Sequence, residues 1–375
     1  MDKIPLFELN WDEDEEREVL GVLKSKWVSM GPKTEEYERE LARFYSVKYA
    51  LSFNNGTSAL LSAYYSLGLK GEVVLPSLTF VATANALRFL GIKPVFADIH
   101  SLEIPLISAE TVERVLNPDV CAVVYVNYAG YSLFIDEIKD LCDRKGLILV
   151  EDASHAHGAV YKDRFAGTWG SVGVFSTFAN KNLSTGEGGY LLTNDGELYE
   201  RAKLFRSHGL TSSSWERFKE GKNRIYDVVD IGLNLRPSEI QSAIGLANLR
   251  KLKKENEKRR KLVSLYRKLI REEIPEITIP FENIPVEGSS HYIFPILLPK
   301  GINRDKIAEK MADIGIGTSV HYPSIHRFSF YYEGQKLEKT EEYSERTLTL
   351  PLWGDMGEEG VYRVVEGLKK CLYSQ

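Results

Sequence analysis

The sequence predicts an α/β protein in which a large, mainly parallel sheet covered by helices is followed by a smaller C-terminal α/β domain. Short apolar runs at Val73–Pro76, Pro94–Ala97, Ala122–Val126 and Leu147–Val150 each lead into a turn or a helix-like stretch, the rhythm of parallel strands with crossover helices. Beyond Asn234 the rhythm changes to apolar residues at helical spacing, among them Ile240, Ile244, Leu249, Leu252, Leu262, Leu265 and Leu269. That spacing predicts one long helix, broken at most once, leaving the first domain. At 375 residues the chain also exceeds a single ordinary core. The expected division is 1–250 for the large domain and 251–375 for the small one, with the N-terminal segment packed on the small domain.

Composition narrows the class of partner. The 43% apolar and 27% charged fractions are those of an ordinary folded protein and exclude fibres and disorder. A net charge of −5 argues against general binding to nucleic acid or to an anionic membrane, and the basic run Lys251–Lys261 is interrupted by Glu255 and Glu257 and reads as a solvated helix face. The three cysteines, Cys121, Cys142 and Cys371, have neither metal-knuckle nor disulfide spacing. The start, "MDKIPLFELNWDEDEEREVL", has no apolar secretory core, and no run of about 18 uncharged apolar residues occurs. A cytoplasmic protein with a small-molecule partner is expected.

In chain order, the first chemical feature is "NNGTSALLSAYYSLG". Free N–H groups at such a helix start suit a phosphate, with Thr57 and Ser58 hydroxyls as further donors, although a capped helix start with no ligand reads the same way. Phe80, in "PSLTFVATANAL", is either a core residue or a flat face for a ring. In "GLILVEDASHAHG", Asp152 follows an apolar strand at the end where open α/β sheets place ligands, and it reads equally as a helix N-cap. His155 and His157 lack the spacing of a metal pair, and no metal is expected. Lys181 stands beyond the apolar segment "SVGVFSTF" and before the Gly-Glu-Gly-Gly of residues 186–189. Taken alone it is a surface lysine. A phosphate seat, a strand-end aspartate and a later lysine together meet the needs of pyridoxal phosphate, which requires an amine for its aldehyde, a carboxylate for its ring nitrogen and a cradle for its phosphate.

These motifs, with "HGL" at His208–Leu210, "GLNLRPSEIQSAIGLANL" and "VHYPSIH", resemble the DegT/DnrJ/EryC1/StrS sugar aminotransferases, of the aspartate-aminotransferase-like fold known as fold type I. The resemblance covers nearly the whole chain. It implies that Lys181 bonds to the cofactor aldehyde and moves protons, and that Asp152 keeps the pyridine nitrogen protonated. Gly56, Thr57 and Ser176 would hold the phosphate, joined by Asn234 from the other subunit of a homodimer. Phe80 would stack on one ring face, with His155 near the cofactor oxygen or the opposite face. His321, Tyr322 and His326 would line the substrate entrance, or else pack a loop. Arg236 is a carboxylate or phosphate contact, or a structural ion pair. The departures are "FST", "STGEGG", "NLR" and "NYAG" where the family has "FSF", "TTGEGG", "NYR" and "HYAG"; Asn127 in the last alters substrate contacts.

The function so implied is transfer of an amino group from L-glutamate to a nucleotide-linked keto-sugar. A lysine at position 181, where some relatives have histidine and dehydrate their substrate, favours transamination. Histidine at position 155, with "GIGTSVHYPSIH", favours C4 of the sugar over C3. The rival readings are the C3 reaction, a cofactor-binding regulator without turnover, and another pyridoxal phosphate reaction on the same fold.

Overall fold

Apolar runs long enough for a strand but too short for a helix become the strands of one sheet. The structure, a computed structural model, describes residues 3–212, 215, 217–218 and 226–373. Helices α1 (Glu13–Ser25) and α2 (Pro32–Tyr45) lead into β1 (Tyr49–Phe53), α3 (Gly56–Leu67), β2 (Glu72–Pro76), α4 (Ala82–Phe89) and β3 (Lys93–Ala97). There follow α5 (Ala109–Glu113), β4 (Val120–Val126), α6 (Ile135–Lys145), β5 (Ile148–Asp152), the small pair β6 (Val160–Tyr161) and β7 (Arg164–Phe165), β8 (Val172–Ser176), β9 (Gly189–Thr193) and α7 (Gly196–Arg206). The rest of the chain forms α8 (Glu239–Glu273), β10 (Phe294–Leu297), α9 (Arg304–Asp313), α10 (Glu338–Arg346), β11 (Thr347–Leu350) and α11 (Gly357–Tyr373).

The large sheet has the order β1-β9-β8-β5-β4-β2-β3. Neighbours from β8 to β3 pair in parallel, and β9 runs against both β8 and β1. Val73, Val74, Leu75, Ala122, Val123 and Val124 have no exposed surface, because helices cover both faces; this is why these strands read as continuous apolar runs rather than alternating ones. The run that begins with Leu147 is a strand from Ile148 onward and continues through Glu151 and Asp152, so its last two residues are buried carboxylates. The parallel strands β2, β4, β5 and β8 all end at the same edge, which brings Ser77, Asn127, Asp152 and Ser176 to one side of the sheet.

Helix α8 is a single helix of 35 residues, unbroken, and residue 250 lies within it. Ser238 and Gln241 cap its start reciprocally. Its first half packs Leu246, Leu249 and Leu252 against Tyr37, Leu41 and Tyr45 of α2. Its second half packs Leu262, Val263, Tyr266 and Ile270 in a separate core with Phe294, Ile296, Leu348, Leu350, Val361 and Leu368, built on the antiparallel pair β10 and β11. Ile4 belongs to this second core: its N–H donates to Gly315, its carbonyl accepts from Gly317, and the Leu6 carbonyl accepts from Leu352. No helix among the described residues is long and apolar enough to cross a membrane.

One buried carboxylate joins α2 to α8. The N-cap position of α2 is Gly31, which has no side chain to satisfy the first-turn donors. Glu239, 1% exposed, does so from α8: its carboxylate accepts from the N–H groups of Gly31 (2.7 Å), Lys33 (2.7 Å) and Thr34 (2.9 Å) and from the Thr34 hydroxyl (2.7 Å). Glu239→Ala strands these donors in the interior. It is expected to cost about 3 kcal/mol, read as a lower denaturant midpoint than that of the parent chain.

Candidate active site

A cavity of about 360 Å³ opens at the edge where the parallel strands end. Its wall includes Gly56, Thr57, Phe80, Asp152, His155, Ser176, Lys181, His321 and Tyr322, so nine residues singled out in the sequence are neighbours in space. Each arrives for a local reason. Asn55, with extended backbone, caps α3 by accepting from the Ser58 N–H at 2.8 Å, and this leaves the Gly56 and Thr57 N–H groups at the helix start without intrahelical acceptors. Ser176 is the last residue of β8. A Cβ at Gly56 would lie 2.7 Å from that of Ser176, and one at Gly189 would lie 2.7 Å from the Gly56 nitrogen. The glycines at 56 and 189 therefore let the start of α3 close onto the ends of β8 and β9, and this contact accounts for one part of the Gly-rich run after Lys181.

Asp152 ends β5 and is 6% exposed. Its carboxylate accepts from the Thr83 hydroxyl at 2.7 Å and from the Ser154 N–H at 3.2 Å, so its orientation is fixed from α4 and from its own turn. Lys181 lies in the turn after β8, its N–H donating to the Phe178 carbonyl. Burial pushes its amine down to about 7, with the Asp152 charge opposing the shift. The amine sits 3.9 Å above the centre of the Tyr292 ring.

The histidines around the amine are held neutral. Burial first, and then the Lys181 charge, push His155 well below its usual range and His321 down to about 3. His155 Nδ1 accepts from the Ala129 N–H at 3.3 Å, which leaves Nε2 as the protonated nitrogen facing the Tyr322 hydroxyl at 2.8 Å. His157, also pushed by burial to about 3, is not on the wall but supports it from behind. Its Nε2 donates to the Ser176 carbonyl at 2.8 Å, and its Nδ1 accepts from Tyr190.

Five other residues considered in the sequence for binding or substrate contact do not join the wall. Ser58 is 7% exposed, and its N–H is taken by Asn55. His326 is 1% exposed and bridges Ser77 at 2.6 Å to Glu341 at 3.1 Å, tying the end of β2 to α10. Asn234 lies on an exposed segment beside Ser207, outside the cavity of its own chain. Arg236 likewise lines no part of the cavity; its guanidinium is pushed down by burial and by Arg206 and Arg217. Asn127 points its amide at Ser132 (2.8 Å) in the interior rather than at the cavity. Conversely, Thr83, Asn180 and Tyr292 line the cavity without having been read from the sequence. Tyr292 stands in "HYIFPILLP", where an aromatic residue in an apolar run carries no mark of a site.

A family model for the DegT/DnrJ/EryC1/StrS aminotransferase family matches residues 10–369. The chain is 34% identical, over 97% of its length and 96% of the relative's, to UDP-4-amino-4,6-dideoxy-N-acetyl-beta-L-altrosamine transaminase of Helicobacter pylori. It is 33% identical, over 95% and 94%, to the spore coat polysaccharide biosynthesis protein SpsC of Bacillus subtilis. Among solved structures, Helicobacter pylori PseC, an aminotransferase involved in the biosynthesis of pseudoaminic acid, superposes with a TM-score of 0.93 at 32% identity, over 100% of both chains. With its fold, its cavity and this match over nearly its whole length, the chain belongs to the DegT/DnrJ/EryC1/StrS aminotransferases, enzymes dependent on pyridoxal phosphate.

Proposed function

We propose that this sugar aminotransferase moves an amino group from L-glutamate to C4 of a nucleotide-linked keto-sugar, in the cytoplasm, as a homodimer with shared sites. The observation that carries the reading is Lys181, a desolvated amine poised at about 7 in a cavity walled by Asp152 and by the start of α3. For C4, the support is the Helicobacter pylori relative, named for a 4-amino sugar, together with His155 on the wall. For the shared site, the support is Asn234, which lies outside its own cavity on a segment where Val228, Val229 and Ile231 are 59%, 56% and 67% exposed. Such an apolar stretch suits a second copy of the chain. The division into 1–250 and 251–375 belongs to the same reading, and its support is the separate core around β10 and β11.

The residues present fit pyridoxal phosphate. The start of α3 offers free N–H groups and a positive dipole end to a phosphate, Asp152 offers an oriented carboxylate, and Phe80, 58% exposed, offers an open aromatic face. When bound, the cofactor supplies an aldehyde that condenses with amines and a ring that takes up the electron pair left when a C–H bond beside the nitrogen breaks. Gly56, Thr57 and Ser176 would hold the phosphate, joined by an Asn234 of the second copy. Asp152 would hold the proton on the ring nitrogen, with Phe80 and His155 flanking the ring. Lys181 Nζ, neutral in half of the molecules near pH 7, would take the proton from the donor carbon and pass it to the cofactor carbon, and in the other half would carry a proton from the cofactor carbon to the sugar carbon. Tyr322, whose hydroxyl oxygen accepts a hydrogen bond from His155 Nε2, would have its own O–H free for the sugar; His321 stands beside it, and His326 acts on this wall only through the fold.

Lys181→Ala is expected to abolish the absorbance band near the visible edge that follows addition of pyridoxal phosphate, and to lower turnover by about 10⁴-fold. Ordinary turnover in that variant sinks the assignment. Mixing inactive Lys181→Ala and Asn234→Asp chains should restore roughly a quarter of wild-type activity by random reassortment of dimers, because one intact site then forms across the subunit boundary. No recovery after verified exchange places Asn234 outside the partner's site. With glutamate as donor, a UDP-linked 4-keto sugar should be aminated faster than its 3-keto isomer; the reverse order favours the C3 reaction, and inertness toward both favours a regulator.

A further inference from the structure

The Lys181 amine does not point into open space. It lies 3.9 Å over the face of Tyr292, a residue only 5% exposed that reaches the cavity from the segment just before β10. The Tyr292 backbone and ring are each held by neighbours. Arg259, on α8, donates to the Tyr292 carbonyl at 3.2 Å and to that of Leu352 at 3.1 Å; the His155 ring lies 4.2 Å away; and the Asn180 amide, next in sequence to Lys181, donates toward the Tyr292 hydroxyl. Other groups that bear on the amine are Asp152, which favours its charge, and His155, His157 and His321, which are neutral and carry none. Asp152 is occupied by Thr83 and Ser154 and makes no ion pair with the lysine among the described residues. The aromatic face is thus the contact that a free ε-amine finds.

We propose that Tyr292 is a positioning residue for Lys181, its ring face being the seat that holds the ε-amine whenever the amine is not bonded to the cofactor. This rests on the reading of Lys181 as the reactive amine. A lysine side chain has many rotamers, and a base that must leave a bond and later reform it gains from a fixed resting place. The negative face of an aromatic ring attracts the ammonium form strongly and the neutral amine weakly, so the seat grips the proton-carrying state and loosens once the proton has been given up. A carboxylate in the same place would hold the charged form too firmly to let it act as a base near neutral pH.

The test uses the cofactor-free full chain, with the rate of bond formation to added pyridoxal phosphate followed by absorbance across pH, and borohydride trapping with peptide mass analysis locating the bond. Wild-type protein should give a midpoint near 7, bond formation rising with pH because the amine must be neutral to react. Tyr292→Phe keeps the ring and should keep that midpoint. Tyr292→Leu removes the ring while keeping an apolar filling, and should lower the midpoint by about one pH unit, tenfold in ionisation, with a lower plateau rate. Pentafluorophenylalanine at position 292, which preserves the shape and removes the negative face, should lower the midpoint as leucine does, and this separates the electrostatic seat from mere packing. A midpoint that is unchanged or raised in both ring-altered proteins overturns the proposal. Absence of any bond at Lys181 in wild-type protein overturns instead the assignment of the reactive amine, and this proposal with it.

Discussion

Placing an amine and a carboxylate in one dry cavity is the constraint on which the rest of the structure turns. Burial drives Lys181 toward neutrality; Asp152 pulls the other way, and the balance falls near neutral pH. The balance needs Asp152 close enough to be felt and too well occupied to form a direct pair. Thr83 and the Ser154 N–H supply that occupation, and the neutral histidines add no competing positive charge. The residues nearest the chemistry are therefore arranged as much to avoid contacts as to make them.

The sheet makes this arrangement possible. Strands that run parallel end together, so residues far apart in sequence emerge on one edge without any long connection having to find its place. The antiparallel β9 brings the chain back past that edge, and the turn between β8 and β9 is where Lys181 is carried. The close approach of Gly56 and Gly189 then fixes the start of α3 against both strands. Helix α8 completes the frame: the Gln241 side chain donates to the Glu187 carbonyl at 2.7 Å, so the helix that leads to the second core also steadies the turn bearing the lysine.

Legibility from sequence followed the physics of each signal. Parallel strands were visible because both of their faces are apolar, and their predicted limits lie close to those of β2, β3, β4 and β5. The length of α8 was visible as periodicity, whereas its continuity was not, because a run of charged residues between apolar turns reads equally as a break. Lys181, Asp152 and Thr57 were visible because glycines, strand ends and helix starts mark such positions. Ser58 and His326 show the limit of that reasoning. One hydroxyl in a helix start faces the cavity and its neighbour faces inward, and a histidine near an active-site motif can serve a strand–helix contact instead. Tyr292 was illegible because its role depends on where a distant turn places an amine.

The continuity of α8 bears on how lineages of this protein can change length. An α-helix turns about 100° per residue, so a single residue gained or lost between positions 250 and 262 would rotate the core around β10 and β11 relative to the sheet by that angle. A change of length is absorbed more easily by an exposed connection such as residues 332–336, and the interior of the helix acts as a register between the two cores.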